Sequence, residues 1–96
     1  MKVRLQLLVP VLPETIGRKE IEVDFPGETV NDLLCHLVRQ YGRAAKQAFY
    51  DNQGELDPVI QVLLNGKEWV SHDQLNTALQ DGDQVSFMAM IAGGQN

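Results

Sequence analysis

The sequence predicts one α+β domain with the element order ββαββ and a fifth strand or short element. Three observations lead to this prediction. Segments near both ends of the chain alternate apolar and polar residues, which is the period of a β-strand. Residues 30–41 carry an apolar stripe at the period of an α-helix. Residues 59–70 contain Asn65-Gly66, a dipeptide typical of a tight hairpin turn.

Two alternating strands open the chain. Their buried faces are formed by Val3, Leu5, Leu7 and Val9 in the first strand and by Ile21, Val23 and Phe25 in the second. Pro10, Pro13 and Gly17 interrupt the pattern, so we expect a loop of about ten residues with antiparallel pairing across it. The outward positions of the second strand are all acidic: Glu20, Glu22 and Asp24. This acidic face either protects a sheet edge or belongs to a docking surface.

The main helix has clear start and stop signals. Thr29 is the predicted N-cap, with Asp32 at the N3 position of a capping box, and Gly42 ends the helix. The apolar stripe between them consists of Val30, Leu33, Leu34, Leu37, Val38 and Tyr41. Alanines in residues 43–49 predict a second, short helix.

The second half of the chain predicts the remaining strands. Residues 59–64 are a nearly continuous apolar run and are expected to form a central strand, with a short return strand over 67–70 and a half-buried Trp69. Residues 71–80 are expected to form a loop with a helical turn near Leu75. After the turn at 81–83, a final strand leads to the diglycine. Its alternating positions are Val85, Phe87 and Ala89 on one face, and Ser86, Met88 and Met90 on the other.

Composition limits the classes of function. Thirteen acidic and eight basic residues give a net charge of -5, which argues against nucleic-acid binding because phosphate contacts need clustered Lys and Arg. The single cysteine, Cys35, excludes an internal disulfide. The first residues lack the apolar core of a signal peptide, and no apolar run approaches the ~20 residues of a membrane span. We therefore expect a cytoplasmic protein with no nucleic-acid or membrane partner.

Some residue combinations imitate catalytic or metal sites. Ser71-His72-Asp73 are sequence neighbours, whereas a Ser-His-Asp triad converges from separate segments, so we interpret them as a polar loop. Cys35 and His36 lie on the main helix without further ligands nearby, and no metal is expected. Asp81 and Asp83 flank Gly82 as turn residues.

Four stretches together resemble the MoaD/ThiS family, the ubiquitin-like sulfur carriers of molybdopterin and thiamine biosynthesis. They are Pro-Gly-Glu-Thr-Val at 26–30, Val-Leu-Leu-Asn-Gly at 62–66, the run 75–83 ending in Asp-Gly-Asp, and the last strand with Ala92-Gly93-Gly94. The resemblance implies a β-grasp (ubiquitin-like) fold, in which a mixed sheet of four to five strands wraps around one main helix. It also implies a β-grasp domain over residues 1–92 and a flexible tail over 93–96.

The resemblance further implies that the chain is not an enzyme on its own. In the family, a ubiquitin-activating-like enzyme uses ATP to adenylate the C-terminal glycine, here Gly94, and a sulfur donor converts the adenylate to a thiocarboxylate. Gly93 and Gly94 then enter a sulfur-acceptor enzyme such as the molybdopterin synthase large subunit, where a Cβ would crowd the reacting carbonyl. No cofactor is expected on the chain itself. The residues expected to contact these partners are Phe87, Met88, Met90, Ile91 and Ala92.

The chain departs from the family pattern at its end. Gln95 and Asn96 follow the diglycine, so the Gly94 carboxyl is held in a peptide bond, and we expect a protease to remove both residues. The family often has prolines before the diglycine, whereas this chain has Met-Ala-Met-Ile at 88–91, which leaves the acceptor open. Two alternatives remain: a protein modifier that forms isopeptide bonds through Gly94, and an interaction subunit without tail chemistry.

Overall fold

A computed structural model describes residues 1–8 and 20–89. Within them, the elements are β1 (Lys2–Leu8), β2 (Glu20–Asp24), α1 (Val30–Tyr41), α2 (Arg43–Phe49), β3 (Ile60–Leu64), β4 (Glu68–Val70) and β5 (Gln84–Ala89). The strands form one sheet in the order β2-β1-β5-β3-β4. β5 pairs in parallel with β1 and antiparallel with β3, whereas β1–β2 and β3–β4 are antiparallel pairs. The predicted α+β fold with a mixed sheet is confirmed.

The start of α1 has the predicted capping box. The Asp32 backbone N–H donates to Thr29 Oγ1 at 3.1 Å, and the Thr29 N–H donates to Asp32 Oδ2 at 3.2 Å. Gly42, with φ of 71°, ends α1 and begins α2. A positive φ suits glycine because it has no Cβ to clash with the backbone.

The core lies between α1, α2 and one face of the sheet. Alternate residues of β1, β3 and β5 point to this face, and the apolar stripe of α1 covers them. Its largest fully buried side chains are Phe25, Phe49, Phe87, Leu5, Leu7, Leu33, Leu34, Leu37 and Ile60. Phe49 of α2 and Phe87 of β5 meet edge to face with ring centroids 5.1 Å apart, which ties the second helix to the middle of the sheet.

The segment 71–80 differs from its prediction. It contains two successive turns, in which the Gln74 N–H donates to the Ser71 carbonyl at 2.8 Å and the Thr77 N–H to the Gln74 carbonyl at 3.0 Å, and no helix. The physical reason is the neighbouring start of α1: the Val30 N–H donates to the Thr77 carbonyl at 3.1 Å, and the Asn31 N–H to the Leu75 carbonyl at 2.8 Å. The first N–H groups of a helix have no acceptor within the helix, and two carbonyls of this segment accept from two of them.

Two strand predictions also need correction. The central strand is β5, whereas β3, predicted as central, lies between β5 and the edge strand β4. Trp69, predicted to be half-buried, is 59% exposed. It lies on the edge strand and pairs with Leu63 on the sheet face away from the helices, where no second layer of the described chain covers it. No helix in residues 1–8 and 20–89 is long and apolar enough to cross a membrane.

Candidate functional site at the end of the central strand

The candidate site is the last described part of β5, which precedes the diglycine in the sequence. Met88 lies opposite Leu8 of β1 and Gln61 of β3, and Ala89 lies opposite Ile60. The structure therefore describes the platform from which the tail departs. The predicted tail over 93–96 and the predicted domain boundary at 92/93 lie outside the described part of the chain. The same holds for three predicted contact residues, Met90, Ile91 and Ala92.

The last hydrogen-bonded residue pair between β3 and β5 in the described strands can be identified. The Asn65 N–H donates to the Gln84 carbonyl at 2.7 Å, and hydrogen-bonded pairs alternate from there, which makes Gln61–Met88 the last such pair in the described strands. One step further, the Val59 N–H is already bound to Asp57 Oδ1 at 3.0 Å. Pro58, which precedes it, has no N–H. β3 thus has no free backbone donor for the chain beyond Ala89.

His72 makes a contact with the first residue of β3. The register between β3 and β4 would bring His72 opposite Ile60 if β4 continued, but β4 ends at Val70. Instead, the His72 ring nitrogen Nε2 lies 2.6 Å from the Ile60 carbonyl oxygen. Because a carbonyl only accepts, Nε2 carries the proton and donates. His72 thus secures the start of β3, and we interpret the Ser-His-Asp run as structural.

Apolar side chains gather on the open face of the sheet beside the end of β5. We call them the outer patch: Leu8, Leu63, Trp69 and Met88. Leu8 pairs with Met88 and Leu63 with Trp69, so they come from four adjacent strands. Leu8 is 44% exposed and Trp69 59% exposed, whereas Leu63 and Met88 are half-buried. An exposed apolar cluster of this kind is a typical protein-binding surface.

A buried polar contact supports the outer patch from within the sheet. Ser86, between Leu63 and Gln6 in the register, is only 2% exposed. Its hydroxyl donates to Gln6 Oε1 at 3.0 Å. Because the hydroxyl is satisfied, Ser86 can lie under apolar neighbours without an energetic penalty for an unpaired group.

The two described residues of β5 that were predicted to contact partners lie on opposite faces of the sheet. Met88 lies on the open face, as expected. Phe87 points to the opposite face, is 0% exposed and packs on Phe49, so its expected role in partner contact is wrong. Leu8 and Leu63 were not among the predicted contact residues. The sequence pattern that could have indicated them is an apolar residue at an outward position of an alternating strand.

The remaining candidate residues have structural roles. Asp81 Oδ1 accepts from the Lys2 N–H at 2.7 Å, and Asp83 accepts from the Asn65 side chain at 3.1 Å and from the Gln80 N–H at 2.8 Å, which confirms both as turn residues. The exposed Cys35 is a free thiol. In the described ranges, no group of three His, Cys, Asp or Glu side chains is arranged to hold a metal ion.

This geometry defines the class of protein: a ubiquitin-like β-grasp domain. The crystal structure of SAMP1 from Haloferax volcanii matches it with a TM-score of 0.78 at 29% identity, covering 98% of this chain and 100% of that one. The model of the ThiS family matches residues 8–94. The chain therefore belongs to the ThiS family, which comprises small sulfur carriers and ubiquitin-like modifiers.

Two curated relatives are similar over most of their length. Small archaeal modifier protein 3 of Haloferax volcanii is 42% identical over 83 residues, which are 84% of this chain and 87% of the relative. A putative sulfur carrier protein of Archaeoglobus fulgidus is 32% identical over 83 residues, 86% of this chain and 93% of the relative. Both are named as carriers or modifiers, and neither name describes a catalyst.

Proposed function

We propose that the chain is a sulfur carrier that acts through a thiocarboxylate on Gly94, once Gln95 and Asn96 have been removed. A partner enzyme of the ubiquitin-activating type attaches AMP from ATP to the Gly94 carboxylate and releases pyrophosphate. A sulfur donor then attacks the acyl carbon and displaces AMP. The sulfur passes to an acceptor enzyme that makes molybdopterin, tungstopterin or a related cofactor. The chain contributes the acyl group, and ATP is bound by the partner.

The end of β5 is the observation that carries this proposal. The strand is paired with β1 up to Met88 and with β3 up to Ala89, and the next N–H beside β3, that of Val59, is bound to Asp57 and does not extend the pairing. The five residues that follow Ala89, ending at Gly94, span at most about 17 Å when extended. That reach is sufficient for a terminal carboxylate to enter an enclosed active site while the folded domain remains outside it.

The outer patch supports the proposal because it adjoins the base of the tail. A partner that covers Leu8, Trp69 and Met88 would hold its active site within reach of Gly94. Tryptophan is enriched among the residues that dominate binding energy, and methionine adapts to more than one partner surface. A carrier that visits an activating enzyme and an acceptor needs such a surface.

Thiocarboxylate formation is tested with two forms of the chain, one ending at Gly94 and one retaining Gln95 and Asn96. Each is incubated with the cognate adenylating enzyme, ATP and a sulfur donor, and its intact mass is measured. We expect only the form ending at Gly94 to gain the mass of one sulfur-for-oxygen exchange. Equal sulfur incorporation by the longer form would contradict the need for removal. Normal function of Gly94→Ala in the host would instead favour an interaction subunit.

Protein modification is a second candidate function, favoured by the 42% identity to a small archaeal modifier protein. The same adenylated Gly94 would then react with a lysine amine to form an isopeptide bond. Conjugation produces adducts of higher mass that depend on Gly94 and resist reducing agents. A blot of host cells therefore distinguishes this function from sulfur transfer.

Docking through the outer patch is tested with Met88→Asp. A carboxylate in the centre of an apolar contact must be desolvated without a partner, so we expect the dissociation constant for the adenylating enzyme to rise about tenfold or more. Gln53→Asp adds the same charge at an exposed turn outside the strands and should leave binding unchanged. Unaltered affinity of a folded Met88→Asp variant would show that the enzyme binds elsewhere.

A further inference from the structure

The edge of β2 that no other described strand covers is a second surface with a defined chemistry, separate from the tail and the outer patch. We propose that it binds an extended segment of a partner protein in which Lys or Arg alternates with β-branched residues. The segment would add to the sheet as a further strand beside β2. This inference does not depend on the fate of Gly94.

Along this edge, the backbone of β2 presents groups that have no partner in the described part of the chain. Met1 and Phe25 exchange two hydrogen bonds, at 2.9 and 3.0 Å, and hydrogen-bonded pairs alternate in an antiparallel ladder. Val23 and Ile21 therefore bond to β1, whereas the N–H and C=O groups of Glu22 and Asp24 point away from it. Residues 1–8 and 20–89 supply no partner for these groups. They form a template for strand addition.

A groove of about 500 Å³ lies directly beside this edge, between β2 and α1. The residues that line it are Ile21, Glu22, Val23, Asp24, His36, Leu37, Gln40 and Tyr41. Every second side chain of an added strand would point into it, because side chains alternate across a sheet. β-branched residues, and threonine in particular, suit both the pleated strand and the polar ends of His36, Gln40 and Tyr41.

The other side chains of the added strand would lie beside a row of carboxylates. Glu20, Glu22 and Asp24 are all exposed on the outer face of β2. Among the described residues their single ion pair is that of Asp24 with the Met1 ammonium, at 3.5 Å. Oppositely charged neighbours on adjacent strands stabilise a sheet. The row therefore favours Lys or Arg at the outward positions of the incoming segment.

The same row disfavours a second copy of this chain as the occupant. Two β2 strands side by side would place carboxylates against carboxylates, and like charges in that position are destabilising. Edge protection alone accounts for the acidic side chains, but it gives no reason for an open groove beside the edge. A basic partner strand uses the backbone edge, the groove and the charges together.

The probe is a short synthetic peptide that alternates Lys and Thr, with a peptide that alternates Glu and Thr as its control. Both are titrated into the full chain labelled with ¹⁵N, and amide shifts and hydrogen exchange are measured. We expect the Lys peptide to shift the amides of 20–24 and 36–41 and to slow exchange at the Glu22 and Asp24 N–H groups. Its affinity should rise as salt is lowered, and the Glu peptide should not bind.

Variants separate the charge from the backbone edge. Glu22→Gln should weaken binding of the Lys peptide roughly two- to fivefold, whereas Glu68→Gln on the opposite edge strand should not. Glu22→Pro removes an edge-facing donor, a change that edge strands tolerate, and should abolish binding. If this variant does not fold, a peptide N-methylated at alternate residues tests the same hydrogen bonds on the unaltered protein.

Several results would overturn the proposal. Shifts confined to the outer patch, equal binding of both peptides, or full binding by the N-methylated peptide would each do so. Slow exchange of the Glu22 and Asp24 N–H groups in the free chain would mean that another segment of this chain covers the edge. A dimer that dissociates on Glu22→Pro substitution would identify a second copy as the occupant.

Discussion

Asp32 contributes more to the start of α1 than its exposed carboxylate would indicate. Its Oδ2 accepts hydrogen bonds from the backbone N–H groups of Glu28, at 3.0 Å, and Thr29, at 3.2 Å. The bond from Glu28, followed by that from Thr29, lowers the pKa of Asp32 below its ordinary value of 3.8. The ionised form is therefore the one that the fold stabilises.

This lowered pKa predicts how stability depends on pH. The contribution of Asp32 is complete above the unfolded-state value of 3.8 and is lost as the pH falls through the lower pKa of the folded state. We expect the gap in unfolding free energy between the wild type and Asp32→Asn to be constant from about pH 5 to 7 and to shrink below about pH 4. Urea denaturation at a series of pH values measures it. A gap that widens in acid would contradict the assignment.

At the same scale, the sequence predicted local chemistry better than exposure. The spacing of Thr29 and Asp32 was sufficient to predict the capping box, because both partners lie within one helical turn. The exposure of Trp69 was not predictable, because it depends on β4 being an edge strand and on the open face remaining uncovered. Those are properties of strand order, and a strand of three residues is too short to show alternation.

At the scale of elements, the hairpin between β3 and β4 also organises the start of β5. Asn65 and Gly66 have φ values of 55° and 70°, as a tight hairpin turn with positive φ at both central residues requires. The Asn65 side chain accepts from the Gln84 N–H at 2.8 Å and donates to Asp83 Oδ1 at 3.1 Å. The turn therefore fixes the entry of the central strand as well as its own hairpin.

Gly66→Ala tests this turn. No atom lies within 4 Å of the position that an added Cβ would occupy, so the cost is that of a positive φ alone, about 1–2 kcal/mol of unfolding free energy. Lys67→Ala, at the next position of the same loop, should change stability by less than about 0.5 kcal/mol. Chemical denaturation of both variants measures the difference. Equal stability would mean that the turn changes its conformation.

Element prediction failed where a distant segment supplied the hydrogen bonds. Residues 71–80 contain leucines and an alanine at helical spacing, but their carbonyls bond to the first N–H groups of α1. Whether residues 71–80 form a helix depends on a contact between segments more than forty residues apart in the chain. No local sequence pattern shows such a contact. In contrast, α1 and the Asn65-Gly66 turn are defined by residues close in sequence and were predicted correctly.

At the scale of the whole molecule, neighbouring residues of β5 belong to the core and to the outer patch. Phe87 is fully buried against Phe49, and Met88 lies in the outer patch. The sequence predicted the alternation, but the composition of the patch depends on which strands are neighbours. Because β5 lies between β1 and β3, outward residues distant in sequence, Leu8 and Leu63, become part of one surface.

Adjacent substitutions in β5 should therefore have opposite effects. Phe87→Ala leaves a cavity next to Phe49 and should lower the unfolding free energy by about 3–5 kcal/mol, whereas Met88→Asp should leave most of it intact. If Phe87→Ala does not fold, Phe87→Leu provides a milder variant with a smaller loss in the same direction. Urea unfolding followed by fluorescence of Trp69 measures both. A larger loss for Met88→Asp would reverse our assignment of the two faces.

The parallel pairing of β1 with β5 has a consequence for biosynthesis. β1 leaves the ribosome before β5, and β5, which joins β1 to β3, is the last of the described strands to be made. Until β5 emerges, the pairs β1–β2 and β3–β4 have no strand between them. The pairing of β5 with β1 is non-local, and non-local pairing forms slowly. A copy truncated before β5 therefore lacks the strand that joins β1 to β3, and we expect it to form no stable domain.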